Sequence, residues 1–258
     1  MNDIGAKAVD GLMSFIELKK RWMSFYDKLG LIGLAETLDS ENTFVDIVGL
    51  KEDRDLKDLS ILFLPPIEVQ KRFLGQVIKA IGISSNKVSF TNRIIKRWEF
   101  HKIWLSPWSV ELNFSKIKFL NRPKGRPYLF LTENTKEVLG EKTLNRSAID
   151  LQEEFKKQKR VGLNLFEYLI FHRDYVERHS LEGHSLGEKV SYPDECHSVW
   201  LLDSELPGLL GSRLSFLKIG KALMAESISD KQLKVWALPL DYNECNAQKA
   251  RSGIVIPL

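Results

Sequence analysis

Two cysteines, Cys196 and Cys245, stand far apart in a chain of 258 residues. That is too few for a disulfide scaffold and points to a reducing compartment. Nine prolines and 16 glycines exclude collagen-like and low-complexity classes. No apolar run approaches the roughly 20 residues of a membrane helix; Ile61 to Pro66 is among the longest. The first residues lack the basic and apolar regions of a secretory signal. These absences predict a cytoplasmic protein without a membrane span. Nucleotide-binding glycine loops, CxxC pairs and HExxH are also missing. What is present, 43% hydrophobic and 28% charged residues, supports a folded core and excludes disorder as the main state.

The net charge of +4 conceals an asymmetry. Between Lys87 and Arg126 ten basic residues face only Glu99 and Glu111, a local net charge of +8. Eight carboxylates against three cations between Glu36 and Asp58 form the acidic counterpart. Trp98, Trp104 and Trp108 interleave with the basic stretch. Cations beside flat rings suit a single-stranded nucleic-acid groove, where rings stack on bases and cations meet phosphates. Aromatics and arginines equally anchor protein interfaces. The candidate binding residues are therefore Arg93, Lys96, Arg97, Trp98, Trp104, Trp108, Arg122, Lys124 and Arg126. A solvated rim around core tryptophans would give the same composition.

Apolar periodicity predicts a long helix over Ala6 to Leu29, stopped by Gly30, and a shorter one over Leu31 to Leu38. Leu59 to Leu64 reads as a buried strand ended by Pro65 and Pro66, with a helix from Ile67 to Gly82. Tyr128 to Leu131 follows a basic turn as another buried strand. Ser147 to Lys159 and Leu163 to Val176 read as helices, and Glu177 to Glu195 as an exposed loop. Val199 to Leu202, Lys234 to Leu238 and Ile254 to Ile256 are strand candidates, with a helix near Arg213 to Ala225. Strands alternating with helices predict an α/β protein of three layers around a central, mostly parallel sheet. The chain divides into an N-terminal helical segment (1–40), an α/β core (41–145) and C-terminal helices and strands (146–258), all within one compact unit.

His172, His179, His184, Cys196 and His197 gather in one region, but they lack the close ligand pairs that tetrahedral zinc requires. Adjacent Cys196 and His197 face apart too readily to serve as nucleophile and base. The residues thus predict no catalytic set, no metal and no cofactor.

The segment Leu59 to Gly140 resembles the uracil-DNA glycosylase superfamily. The resemblance lies in the apolar strand, in Phe73 to Gly75 leading into a helix that ends at Ala80 to Ile83, and in Val88 to Asn92 with Ile95 and Lys96 behind. The strand Leu129 to Leu131, followed by Thr135 to Gly140, completes it. In that family a glycine-rich turn and a water-orienting acid serve a flipped base; here the place holds Pro65, Pro66, Ile67 and Glu68. Two cysteines cannot supply the four ligands of the family's iron–sulfur branch. The resemblance implies a glycosylase-like fold that has lost its catalytic loops. In this it is similar to non-catalytic members such as the psi subunit of the replicative polymerase's clamp loader and an accessory subunit of the type IVB secretion coupling complex. The expected role is a protein-binding subunit or adaptor of a larger bacterial assembly. The competing expectation is a nucleic-acid-binding protein or divergent DNA glycosylase that uses residues 87–126.

Overall fold

The computed structural model describes residues 15–39, 59–81, 117–136, 146–181, 193–194, 198–206, 221–228, 232–239 and 248–258. In chain order they form α1 (Phe15–Lys28), α2 (Ile32–Asp39), β1 (Leu59–Leu64), α3 (Ile67–Ile81), β2 (Lys118–Phe119) and β3 (Tyr128–Glu133). Then follow α4 (Ala148–Lys157), β4 (Val161–Gly162), α5 (Leu165–Leu181), β5 (Ser198–Leu206), β6 (Lys221–Ile228), β7 (Gln232–Pro239), β8 (Gln248–Ala250) and β9 (Ser252–Pro257).

The expected central, mostly parallel sheet of a glycosylase-like fold is not what forms. One sheet has the order β1-β3-β9-β4 and every neighbouring pair in it is antiparallel. In the second, β2, β5, β6 and β7 pair antiparallel and only β8 runs parallel to β5. The reason lies in the turn before β3. Leu64 at the end of β1 sits opposite Tyr128 at the start of β3, so β3 begins where β1 stops and must run back along it. The unbroken apolar runs of both strands, which read as parallel-sheet cores, report burial of both faces. β3 is buried from Tyr128 to Thr132 because β1 and β9 flank it and the core covers it.

The centre of the described fold is a helix. Residues 165–172 of α5 are buried on every side, which excludes an ordinary amphipathic surface position. The helix touches β1 of the first sheet, β5 of the second, and α3. α1 lies against β1 through Leu18, Trp22, Phe25 and Tyr26, buried at helical spacing. Trp22 Nε1–H donates to the Ile61 carbonyl at 3.0 Å, and the Tyr26 hydroxyl donates to the Phe63 carbonyl at 2.9 Å. Carbonyls on alternate strand residues face the same edge. One helical turn of α1 therefore covers the β1 edge that β3 leaves open, which is where strand pairing with another chain would start.

α1 closes with Gly30 at φ 71°, its N–H bonded to the Asp27 carbonyl and that of Leu31 to the Tyr26 carbonyl. This is the Schellman arrangement in which glycine is the usual residue. α4 closes in the same way, Lys159 N–H to Lys156 and Arg160 N–H to Phe155, but with Lys159 at φ 54° in the glycine position. Two further expectations are corrected. Lys221 to Ala225, predicted helical, belong to β6, where they pair with β5 and β7. Glu177 to Leu181 extend α5 rather than opening a loop, and Asp194 in the following stretch is fully buried. Val88 to Asn92, Ile95 and Lys96 of the glycosylase-like pattern lie outside the described residues.

Candidate functional site

The densest polar constellation gathers around the basic turn. Asn164 and Glu167 cap α5 reciprocally: the Glu167 N–H donates to Asn164 Oδ1 at 2.9 Å and the Asn164 N–H to Glu167 Oε2 at 2.6 Å. This is a capping box with asparagine in the cap position. The Asn164 side-chain amide donates to Gln70 Oε1, Gln70 Nε2–H to the Tyr128 hydroxyl, and that hydroxyl to Glu167 Oε1. Residues from α3, β3 and α5 thereby close a ring of hydrogen bonds in which every member is buried.

Arg122 enters this ring. Its Nε–H and Nη2–H reach the two Glu167 oxygens at 2.5 and 2.6 Å, and Nη2–H also reaches the Gly162 carbonyl at 2.5 Å. Nη1–H donates to Asp203 Oδ2 at 2.6 Å and to the Asn121 carbonyl at 3.1 Å. All five N–H groups of the guanidinium are engaged, and its carbon lies 5.1 Å from the Phe130 ring centroid. Asp203 is placed by an irregularity in β5. Leu201 pairs with Leu223 and Glu205 with Ala222, so Leu202, Asp203 and Ser204 are extra residues on the β5 side. Asp203 turns toward Arg122, and the Ser204 hydroxyl accepts the Leu165 N–H at 2.6 Å at the head of α5.

Burial alone would lower the Arg122 pKa. The charge and hydrogen bonds of Glu167, helped by Asp203, outweigh it and raise the value. Burial pushes the Asp203 carboxyl above its usual range, against the opposing pull of Arg122. The Tyr128 hydroxyl lies well above its ordinary value, through burial first and the Glu167 charge second. Each Glu167 oxygen accepts two donors, and its side chain is fully enclosed. A carboxylate so saturated meets no substrate. The arrangement fastens the turn, α3, α5 and both sheets to one point.

A second buried arginine repeats the design. Arg251 binds both Asp194 oxygens, at 2.9 and 2.7 Å, and donates to the Thr135 and Lys136 carbonyls at 2.9 and 3.1 Å. Its guanidinium carbon lies 4.7 Å from the Phe171 centroid. Asp174 on α5 takes Arg21 from α1 on one oxygen and Arg178 on the other, and Lys28 pairs with Glu177 at 3.0 Å.

Of the sequence-predicted site residues, Arg122 is therefore a correction: its side chain is enclosed and neutralised, so it offers no surface contact. Lys124 and Arg126 are exposed. They flank Gly125, which sits at φ 69° and donates its N–H to Glu68 Oε2 at 3.3 Å. Arg93, Lys96, Arg97, Trp98, Trp104 and Trp108 lie outside the described residues, as do Asn92, His184, Cys196 and His197. His172 is buried on α5, its ring centroid 6.2 Å from that of Tyr168. Among the described residues no group of three or more His, Cys, Asp or Glu side chains could hold a metal ion. No described helix is long and apolar enough to cross a membrane. Sequence reasoning missed Glu167, Asp203 and Gln70; the Asn164-to-Glu167 spacing just before an apolar run was the signal for the first.

No family model, no curated protein and no solved structure matches this chain.

Proposed function

We propose that the chain is a non-catalytic binding subunit, a cytoplasmic adaptor that joins other proteins in a larger assembly and presents the Lys124–Arg126 turn to them. The observation that carries this reading is the contrast within one turn of six residues, Arg122 to Pro127. Arg122 and Pro127 are buried, whereas Lys124, Gly125 and Arg126 between them are exposed. The turn is fixed from inside by the Arg122–Glu167–Asp203 ion pairs and from the side by Glu68. Two cations held out on a fastened loop lose little conformational freedom when a partner binds, which favours affinity. The withdrawal of Arg122 into the core removes one cation from the surface that a nucleic acid would use. That favours a protein partner over a polyanion.

The reading is tested by copurification of the full chain from its native cell, with and without nuclease, followed by mass spectrometry. Stoichiometric proteins that survive nuclease and disappear with the Lys124→Glu, Arg126→Glu double variant are expected. Partners that vanish with nuclease would overturn the reading and make nucleic acid the ligand.

A further inference from the structure

We infer that the solvent face of α3 and the adjoining Lys124–Arg126 turn form one docking surface for an acidic, extended segment of a partner protein. This rests on the binding-subunit reading and gives its partner a chemistry. Exposure along α3 falls on Glu68, Lys71, Arg72, Gly75 and Gln76, opposite the buried Ile67, Gln70, Leu74, Val77 and Ile78. The bond from the Gly125 N–H to Glu68 sets the turn against the first turn of this helix. Positions three and four residues on from Glu68 are its neighbours on the helix surface. The Glu68–Gly125 contact thus brings the part of α3 that carries Lys71 and Arg72 up to the loop that carries Lys124 and Arg126. Glu68 is the one carboxylate on the described part of that face, and it is held by the Gly125 amide.

A second observation points to a ligand. Gly75 lies in the interior of α3, where glycine is the poorest helix former after proline. Its backbone has no left-handed φ, and among the described residues nothing lies within 4 Å of where a Cβ would be. Neither conformation nor packing within the described fold asks for glycine there. A peptide backbone laid close across the helix beside Lys71 and Arg72 does ask for it. The Arg72 guanidinium lies 5.0 Å from the Phe73 ring centroid, and the residue is exposed, so a carboxylate can reach it from solvent. Phe73 itself packs against the core, so it is not a platform for base stacking. Four exposed cations on a helix turn and a loop joined by the Glu68–Gly125 contact suit a short run of Asp and Glu better than a nucleic-acid backbone, which needs a track of cations and rings.

The test uses the full chain and a labelled peptide of about ten glutamates at near-physiological salt, read by fluorescence anisotropy. Lys71→Glu with Arg72→Glu, and separately Lys124→Glu with Arg126→Glu, should each weaken binding on the order of tenfold. Gly75→Ala should raise the thermal midpoint and yet weaken binding. That split is one a purely structural glycine would not produce. Wild-type affinity in either double variant, or unchanged binding in Gly75→Ala, would overturn the inference. So would a single-stranded DNA of equal length that displaces the peptide at lower concentration. If stoichiometric native partners persist with the α3 double variant, this surface fails while the binding-subunit reading stands. If no protein copurifies at all, the reading beneath it fails.

Discussion

Arg122 and Glu167, 45 residues apart in the chain, meet through two parallel hydrogen bonds of 2.5 and 2.6 Å with both side chains fully enclosed. Such pairs rarely add net stability over apolar substitutes, because removing both charges from water is costly. Breaking one is another matter. Arg122→Met leaves Glu167 and Asp203 buried without their cation, and should cost about 3–5 kcal/mol in a urea titration. Arg122→Lys should recover only part of this, since an ammonium cannot span both Glu167 oxygens. A lysine variant as stable as the parent would show that the fork geometry is unimportant.

Buried His172 makes the fold sensitive to acid. Burial, aided by the neighbouring Arg173 charge, lowers its pKa from 6.5 to about 4. The folded state therefore keeps the ring neutral while the unfolded chain protonates it. Stability is unaffected by this group above pH 6.5, declines as pH falls, and has lost the full contribution below about 4. The loss is on the order of 3 kcal/mol. His172→Gln should remove this part of the acid limb. The stability difference between parent and variant, followed from pH 7 to pH 4, should shift in the variant's favour; a constant difference would contradict the buried neutral ring.

The two Schellman endings predict opposite outcomes for opposite substitutions. Lys159 adopts a left-handed conformation that costs a non-glycine residue about 1 kcal/mol or more. Lys159→Gly should stabilise the chain by about 1 kcal/mol, and Gly30→Ala should destabilise it by a similar amount. Chemical denaturation of both variants checks the pair. A neutral Lys159→Gly would mean that α4 ends differently in solution.

Tyr26→Phe removes one hydroxyl and orphans the Phe63 carbonyl at the edge of β1. The expected cost is about 1–3 kcal/mol. The parent should also lose stability above pH 10, because burial first and the Asp174 charge second keep the Tyr26 hydroxyl protonated in the fold after the unfolded chain ionises. The phenylalanine variant should show a smaller alkaline loss. An identical alkaline profile in both would rule out Tyr26 as its source.

Much of the element pattern was readable from periodicity alone: α3, α4, β1 and β3, and α1 from Phe15 to its Gly30 stop, fall where apolar spacing and their Gly, Pro or Ser stops put them. Strand direction was not. An apolar run such as Leu59 to Leu64 records burial on two faces and says nothing of which end its neighbour starts from. Lys221 to Ala225 are rich in good helix formers, yet five residue pairs with β7 override that local preference. Arg122 misled for a related reason. Its neutralising carboxylates lie 45 and 81 residues away, so a local charge count sees only an excess of cations. Lys124 and Arg126, in the same turn, carry the identical local signal and do reach solvent.

The position of β9 has a consequence for synthesis. This strand follows every other described strand in the chain, yet it sits inside its sheet, between β3 and β4. While the polypeptide is being made, β1 and β3 can pair early, but β3 then waits with its other edge bare until Ser252 to Pro257 have emerged. Five residue positions of β3, Tyr128 to Thr132, face that wait. A nascent chain stalled before residue 252 would expose an apolar strand edge of the kind that recruits other chains or chaperones. Release of the last six residues of β9 thus marks the moment at which the first sheet becomes safe.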